Sequence, residues 1–511
     1  MNKTSSSYPP HLPASPRNHA YRALRTLTRP DVFCDEALHD LLDREPLPQR
    51  DAALATALVQ GVLRRRAALD AVLAKVPGFQ YSRTAQPLRD VLRLALFQKH
   101  FLQRIPDHAI VNESVELARA ISGERAASFT NAYLRKMLNA FSGGLPELRG
   151  RNERDTHSLR ESMPAWIMKE IEGAFCPADK VSQEQSKSAA TDRKKRSAAP
   201  PTSFRFQRST FSDVECGTAA PGCEPLREIL SRLNTQAALH LRPRDAKFKH
   251  ANLSPGLFVP GALRLDGPLT SEIRQLLRDG ALYVQDEAAQ AVALLLGAQP
   301  GHVVVDFCAA PGGKTIIFHE QMRGEGHLFA YDPNRSRIMT LRGNVRRHQA
   351  DSVVVIEEFS DLKSRIESLG GADRILLDAP CSGLGTLRRH PDLRWRKKSG
   401  DPKRLARLQL SLLAHALSLL KPGGRLLYSV CTFTRAETTD VVQKFLAAHS
   451  AQISLIPFSN LTELLPPIPR VAASPRPPVP ASLTTPSGFF RPHPLHHDMD
   501  LFFAALFEKE V

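Results

Sequence analysis

The segment "RILLDAPCSGLG" (residues 374–385) sets Asp378 and Cys381 three residues apart, directly after an apolar run. A second thiol, Cys431, follows the apolar run of "LLYSVCTFT". A thiolate attacks an electron-poor carbon once its surroundings lower its pKa, and a nearby carboxyl group can stabilise charge on the heterocycle under attack. A third stretch, "VVVDFCAAPGGKTIIF", reads as strand, glycine-containing turn and helix, with Asp306 at the end of the strand. Gly312 and Gly313 let the backbone pass close to a ligand, and the helix behind them offers its first N–H groups. Asp332 ends the next apolar run, "HLFAYD", where an acid can bind ribose hydroxyls. Neither GxGxxG nor the upstream glycine of a P-loop is present. The pattern predicts a nucleoside cofactor without a pyrophosphate.

Five apolar runs, "HVVVDF", "HLFAYD", "SVVVI", "RILLD" and "RLLYSV", stand at separations that leave room for crossover helices. That is the signature of an α/β fold with a parallel sheet covered on both faces. Ligands of such sheets bind beyond the carboxyl ends of the strands, so Asp306, Asp332, Asp378, Cys381 and Cys431 should face one crevice. Taken singly, each cysteine reads as a small buried hydrophobe; their shared placement at strand ends beside an acid points to chemistry. A last strand is predicted in "MDLFFAALFEK", after a proline-rich surface loop.

The first part of the chain reads as helices. Leu88, Val91, Leu92, Ala95 and Leu96 fall on one helix face, and Leu54, Leu58 and Val62 repeat that spacing upstream. Arg64, Arg65 and Arg66 form a short basic cluster, read as a solvated face. Residues 1–17 are expected to be a disordered tail, 18–144 a helical domain and 145–179 connecting helices. A disordered insertion over 180–223, a small subdomain over 224–282 and the α/β domain over 283–511 complete the division. The insertion carries too few large apolar residues to offset the entropy of ordering.

The chain has 511 residues and a formal net charge of +17, which favours a polyanionic partner such as nucleic acid. Seven cysteines without a CxxC pair fit reduced thiols in the cytoplasm, and no spacing matches a zinc site, so no metal is expected. No apolar stretch approaches the ~20 residues of a membrane span.

"DFCAAPGGKT", "LLDAPCSGLGTLRRHPDLRW" and "LYSVCTFTRAE", in that order, resemble the motifs of the RsmB/NOP2/Sun family of RNA 5-methylcytosine methyltransferases. "LYVQDEAAQ" and "MDLFFAALFEK" resemble that family's flanking pieces, so the likeness runs from about Pro225 to Val511. "RDAALATALVQGVLRR", "LRLALFQKHFLQRIPDHAIVNESVELAR" and "FTNAYLRKML" resemble the NusB-like domain fused to bacterial members. The resemblance implies a Rossmann-like sheet that binds S-adenosyl-L-methionine, preceded by an all-α RNA-binding domain. It implies methylation of carbon 5 of one cytidine in small-subunit (16S) ribosomal RNA, by a monomer.

On this sequence, Cys308, Ala309, Ala310, Pro311, Gly312, Gly313 and Lys314 would form the cofactor loop, and Asp332 would hold the ribose. Asp378 would line the site near both methionine and cytosine. Cys431 would be the nucleophile that adds to carbon 6, and Cys381 would assist loss of the carbon-5 proton and release. DNA cytosine methyltransferases attack with the proline–cysteine thiol instead, so the assignment to Cys431 follows from the whole motif set. Three positions depart from the family. Val430 stands in place of threonine, Leu501 in place of a glycine whose loss should crowd the terminal strand, and the third cofactor acid falls among Glu357, Glu358 and Asp361. Arg388, Arg389 and His390 are candidates for phosphate contact or else a solvated loop. The alternatives are the same chemistry on transfer RNA, a catalytically idle assembly factor, or a redox pair of Cys381 and Cys431.

Overall fold

The computed structural model describes residues 12–28, 32–102, 105–176, 223–245, 248–458 and 481–511. The expected insertion before Cys223 and most of the proline-rich segment lie outside the described residues. The chain divides into two compact units, Met1–Asn234 with His390–Lys397, and Thr235–Arg389 with Lys398–Val511.

The first unit is helical. Its helices are Pro16–Arg25, Cys34–Arg44, Gln49–Leu73, Gln86–Phe101, Asp107–Ser122, Glu124–Ala140, Glu153–Arg160, Ala165–Phe175 and Cys223–Leu233. The opening helix starts two residues before the predicted boundary, because Ser15 accepts from the Asn18 N–H and Pro16 suits a first helical position. The predicted stripe of Val91, Leu92, Ala95 and Leu96 is buried in one core with Leu58 and Val62. The last of these helices belongs to the helical unit, so the boundary falls at Asn234 and not at residue 224.

Two features of this unit were not legible from local pattern. The Arg64–Arg66 cluster is not a solvated face. Arg64 is buried, Arg65 lies over the Phe101 ring at 4.5 Å, and Arg66 lies over Trp395 at 5.4 Å. Planar guanidinium groups stack on aromatic faces, which lets them be covered without losing their charge. The second feature is the segment His390–Lys397, which comes from late in the sequence yet packs as part of the helical unit. Trp395 Nε1 donates to the Leu63 carbonyl at 2.8 Å. Arg394 is almost wholly buried and donates to the carbonyls of Arg64 (3.2 Å) and Leu233 (3.0 Å) and to Asn234 Oδ1 (2.5 Å). Burial pulls its pKa down to about 9. His390, half-buried, has its Nδ1 2.9 Å from Asp35, whose neighbour Asp392 is ion-paired with Arg396.

The second unit carries two sheets. Four short strands, β1 (His240–Pro243), β2 (Leu253–Pro255), β3 (Leu263–Leu265) and β4 (Leu282–Val284), form an antiparallel sheet in the order β2-β3-β1-β4. The larger sheet contains β5 (Val303–Phe307), β6 (His327–Tyr331), β7 (Val353–Ile356), β8 (Ala372–Asp378), β9 (Leu420–Val430), β10 (Ile453–Ile456) and β11 (Phe503–Lys509). Its order is β10-β11-β9-β8-β5-β6-β7. The five predicted runs are the five parallel strands, and the predicted terminal strand pairs antiparallel with β9. Helices Glu287–Leu295 and Gly313–Met322 contribute to one apolar core of this sheet, and helices Phe359–Ser368 and Asp401–Leu419 to another. Among the described residues no helix is long and apolar enough to cross a membrane.

The start of the glycine loop is anchored inside this core. Asp306, in β5, is completely buried and accepts from the Thr315 hydroxyl at 2.5 Å, which ties the strand to the helix after the loop. Its other carboxylate oxygen has no partner among the described residues. Burial raises this carboxyl from its ordinary value of 3.8 to about 7.

Two predictions follow from buried charge. Trp166 and Trp395, the two tryptophans of the chain, both lie in the helical unit, so fluorescence reports on that unit. Arg394→Met strands several buried acceptors and should destabilise the unit by about 3 kcal/mol, read as a lower urea midpoint in tryptophan fluorescence. For Asp306 the folded chain holds a proton that the unfolded chain has released. Its contribution to stability is complete below about 3.8, declines as pH rises, and is gone above about 7. Asp306→Asn, which is neutral throughout, should flatten that decline in calorimetric melts between pH 4 and 8.

Candidate active site

Strands β8 and β9 are adjacent and parallel, with Asp378 opposite Ser429. Each chain then turns away from the sheet, and the turns carry Cys381 and Cys431. The Ala379 N–H donates to the Ser429 carbonyl at 2.9 Å, and the Gly385 N–H donates to the Cys431 carbonyl at 2.9 Å, so the two turns are bonded to each other. The two sulfur atoms lie 3.3 Å apart. Gly385 sits where a Cβ would meet the Leu501 carbonyl oxygen, so no other residue fits. Leu501 itself donates its N–H to the Gly385 carbonyl at 3.0 Å and is buried, and Val430 is buried in the sheet. With these two residues in place β11 still pairs with β9, Phe503 opposite Val430.

Asp378 is held from both sides. The Ser429 hydroxyl donates to one oxygen at 2.7 Å and the Lys314 ammonium donates to the other at 2.6 Å. Lys314, read from the sequence as the last residue of the cofactor loop, therefore turns its charge towards Asp378. Burial alone would lower its pKa, but Asp378, Asp306 and Cys431 outweigh that and leave it raised. The Lys314 nitrogen also lies 5.2 Å from the centre of the Phe502 ring.

The two thiols are not equivalent. The contact with Cys431, then burial, then the charges of Cys431, Glu437 and Asp378 hold the Cys381 thiol well above the ordinary range. A Cys381 that keeps its proton can donate it towards the Cys431 sulfur. Burial, then the carboxylates of Asp332 and Asp378, push the Cys308 thiol up.

The loop from Cys308 to Lys314 leaves β5 with Cys308 at φ 67° and Gly312 at φ 104°. Its shape is set by Asp332, which is fully buried at the end of β6. One Asp332 oxygen accepts from the Ala310 N–H at 3.1 Å and the other from the Asn334 N–H at 2.9 Å, while Arg337 lies 3.3 Å away. Asn344 Nδ2 donates to the Pro311 carbonyl at 2.9 Å. The helix Gly313–Met322 opens directly behind the loop, with N-terminal amides that have no acceptor within the helix. Of the acids near β7, Glu357 follows the strand at once and is the least exposed of the three, paired with Arg342.

Arg388 and Arg389 do not point to phosphate. Arg388 is buried against Asp498 at 2.7 Å. Arg389 bridges Asp286 at 2.5 Å and Asp500 at 2.9 Å, and Asp286 also accepts from the Asp500 N–H and faces His240 at 3.1 Å. Burial alone would raise Asp286, but His240 and Arg389 hold it far below the ordinary carboxylate range. This cluster joins the segments before β5, after Cys381 and before β11. Sequence reasoning missed Asp286, Asp500, Ser429 and Glu437 as parts of the site, although all four lie within or beside the quoted motifs.

With this geometry in view, the comparisons with known proteins are consistent along the chain. The profile described as 16S rRNA methyltransferase RsmB/F matches residues 293–508, and that of the NusB family matches residues 14–139. The chain is similar to the probable ribosomal RNA small subunit methyltransferase B of Synechocystis, at 32% identity over 85% of this chain and 90% of that protein. It is similar to ribosomal RNA small subunit methyltransferase B of Pseudomonas putida, at 30% identity over 85% of this chain and 89% of that protein. The crystal structure of PH0851 shares the fold, with a TM-score of 0.70 at 22% identity over 98% of this chain and 100% of that one. By motif order, fold and relatedness along most of its length, the chain belongs to the RsmB/F family of 16S rRNA methyltransferases.

Proposed function

We propose that this protein methylates carbon 5 of a cytidine in small-subunit ribosomal RNA, with S-adenosyl-L-methionine as donor and a transient bond between Cys431 and carbon 6. The observation that carries the reading is the pair of sulfurs 3.3 Å apart, beside an Asp378 fixed by Lys314 and Ser429. Addition of the Cys431 thiolate to carbon 6 moves electron density into the ring and makes carbon 5 nucleophilic. Asp378, with the Lys314 ammonium 2.6 Å behind it as proton source, is the group to interact at nitrogen 3 and pass a proton there as the ring becomes electron-rich. After methyl transfer, loss of the carbon-5 proton to solvent water, assisted by Cys381 beside the nucleophile, re-forms the 5,6 double bond and expels Cys431 as its thiolate.

The residues around the glycine loop fit the donor. The amides at the start of the Gly313–Met322 helix suit a carboxylate, and Asp332 has lone pairs left for ribose hydroxyls on the side where Arg337 now lies. Glu357 is the third acid of the cofactor site in this reading. When bound, the cofactor supplies an electrophilic methyl group. The loop residues Cys308 to Lys314 hold it and carry no charge change themselves. A target cytidine must leave its stack to reach Cys431, and the net charge of +17 favours the RNA backbone, with binding that weakens as salt rises.

The test combines transfer of labelled methyl to small-subunit RNA with a denaturing gel for covalent protein–RNA complexes. Cys431→Ala should lose both product and adduct, with methyl transfer down by more than about a thousandfold. Cys381→Ala should turn over slowly and accumulate adduct. An adduct lost in Cys381→Ala and kept in Cys431→Ala would reverse the two roles. A wild-type protein that methylates transfer RNA instead, or no RNA, would support one of the alternative readings.

A further inference from the structure

Glu437 is completely buried next to the thiol pair, yet no step of the proposed reaction uses it. Its carboxylate collects donors from three directions. One oxygen accepts from the Ser382 N–H at 2.7 Å and from Gln409 Nε2 at 3.2 Å, and the other accepts from the Thr434 hydroxyl at 2.9 Å. Ser382 follows Cys381 directly, and Thr434 lies three residues after Cys431. The same Gln409 amide donates to the Pro380 carbonyl at 2.9 Å, and the Tyr428 hydroxyl donates to Gln409 Oε1 at 3.0 Å and to the Glu437 carbonyl at 2.7 Å. A second tie runs in parallel, between the hydroxyls of Ser382 and Thr432 at 2.8 Å.

Three donors and no acceptor face this side chain, which is the environment of an ionised carboxylate. Burial pushes its pKa up, and the hydrogen bonds from Ser382, Thr434 and Gln409 oppose that. A buried charge is retained only where every lone pair that matters is satisfied, and here the satisfying groups come from both cysteine turns and the helix beneath them.

We propose that Glu437 is a positioning residue for the two-thiol chemistry: its buried carboxylate ties the Cys381 turn to the Cys431 turn and thereby decides which sulfur serves as nucleophile. The inference rests on the covalent reading above. The negative charge disfavours a second negative charge on Cys381, and the tie to the Ser382 N–H keeps that thiol beside Cys431 as a donor. Without the charge, Cys381 ionises more readily and competes.

The experiment uses the full-length protein without RNA and measures alkylation of Cys381 and Cys431 by iodoacetamide with peptide mass spectrometry. In the wild type Cys431 should react first. Glu437→Gln, close in shape but neutral, should narrow the Cys431-to-Cys381 rate ratio by about tenfold, the size of one unit in thiol pKa. The same variant should slow single-turnover methyl transfer by a similar factor while S-adenosyl-L-methionine affinity stays within about twofold. Thr434→Val keeps the charge and loosens one anchor, so its ratio should fall by only about threefold. An unchanged ratio in folded Glu437→Gln overturns the proposal. Should that variant not fold, an unchanged ratio in Thr434→Val overturns it. A wild type that transfers no methyl would refute the proposed function, whereas the alkylation ratio tests Glu437 independently of it.

Discussion

The register of two neighbouring parallel strands is the constraint on which the site depends. With Asp378 of β8 opposite Ser429 of β9, the chain needs three residues on one side and two on the other to bring Cys381 and Cys431 into contact. A slip of one residue would turn every side chain of the strand to the other face, so the chemistry is only as secure as the strand pairing. Seven buried or nearly buried residues of β8 and β9, from Ile375 to Leu377 and from Leu426 to Ser429, hold that register by packing on both faces. The hydrogen bond from Ser429 to Asp378 then uses the same register to fix the carboxylate beside the thiols.

Beyond the strand ends the backbone has no ladder to follow, and polar groups take over the task of holding it. The Cys381 turn is bonded to the Cys431 turn through backbone groups, through the Ser382 and Thr432 hydroxyls, and through the carboxylate of Glu437. These are buried bonds, and leaving any partner unmet costs about 1–3 kcal/mol, so the network resists partial opening. A thiol on such a turn is held more firmly than one on a free loop, which suits any reaction that requires close approach of sulfur to a substrate atom.

Buried ion pairs organise the rest of the second unit. Arg389, between Asp286 and Asp500, links three segments that are far apart in sequence, and Lys314 serves Asp378 in the same way beside the glycine loop. Such pairs are weak sources of net stability compared with apolar packing, but breaking one leaves an uncompensated buried charge. Their effect is to make one arrangement of the segments much better than the alternatives. The arginines of "LRRHPDLRW" and the Arg396 that follows it are thereby spent inside the protein: Arg388 and Arg389 on aspartates, Arg394 on main-chain carbonyls, and Arg396 on Asp392. Arg388 and Arg389, the two arginines read as candidates for phosphate contact, are paired with carboxylates of the protein itself.

The apolar runs by themselves determined the five parallel strands, the terminal strand and the main helical faces, because burial on a fixed period leaves a direct mark on residue order. The motif cysteines, Asp378 and the glycine loop were legible for a related reason: they stand at strand ends, where a parallel sheet presents its ligands. Only the tertiary structure decided what the charged residues do. Arg64 to Arg66 read as solvent-facing, but Arg64 is buried and Arg65 and Arg66 lie over aromatic rings, the segment His390–Lys397 joined the helical unit, and the helix Cys223–Leu233 crossed the predicted boundary. Glu437 and Gln409 carried no local signal, since a carboxylate or amide buried by partners from distant segments looks, in sequence, like any exposed one. Local periodicity records how much apolar surface a segment must hide, but a hydrogen-bonding group takes its partner from wherever the completed fold places one, and that choice exists only in three dimensions.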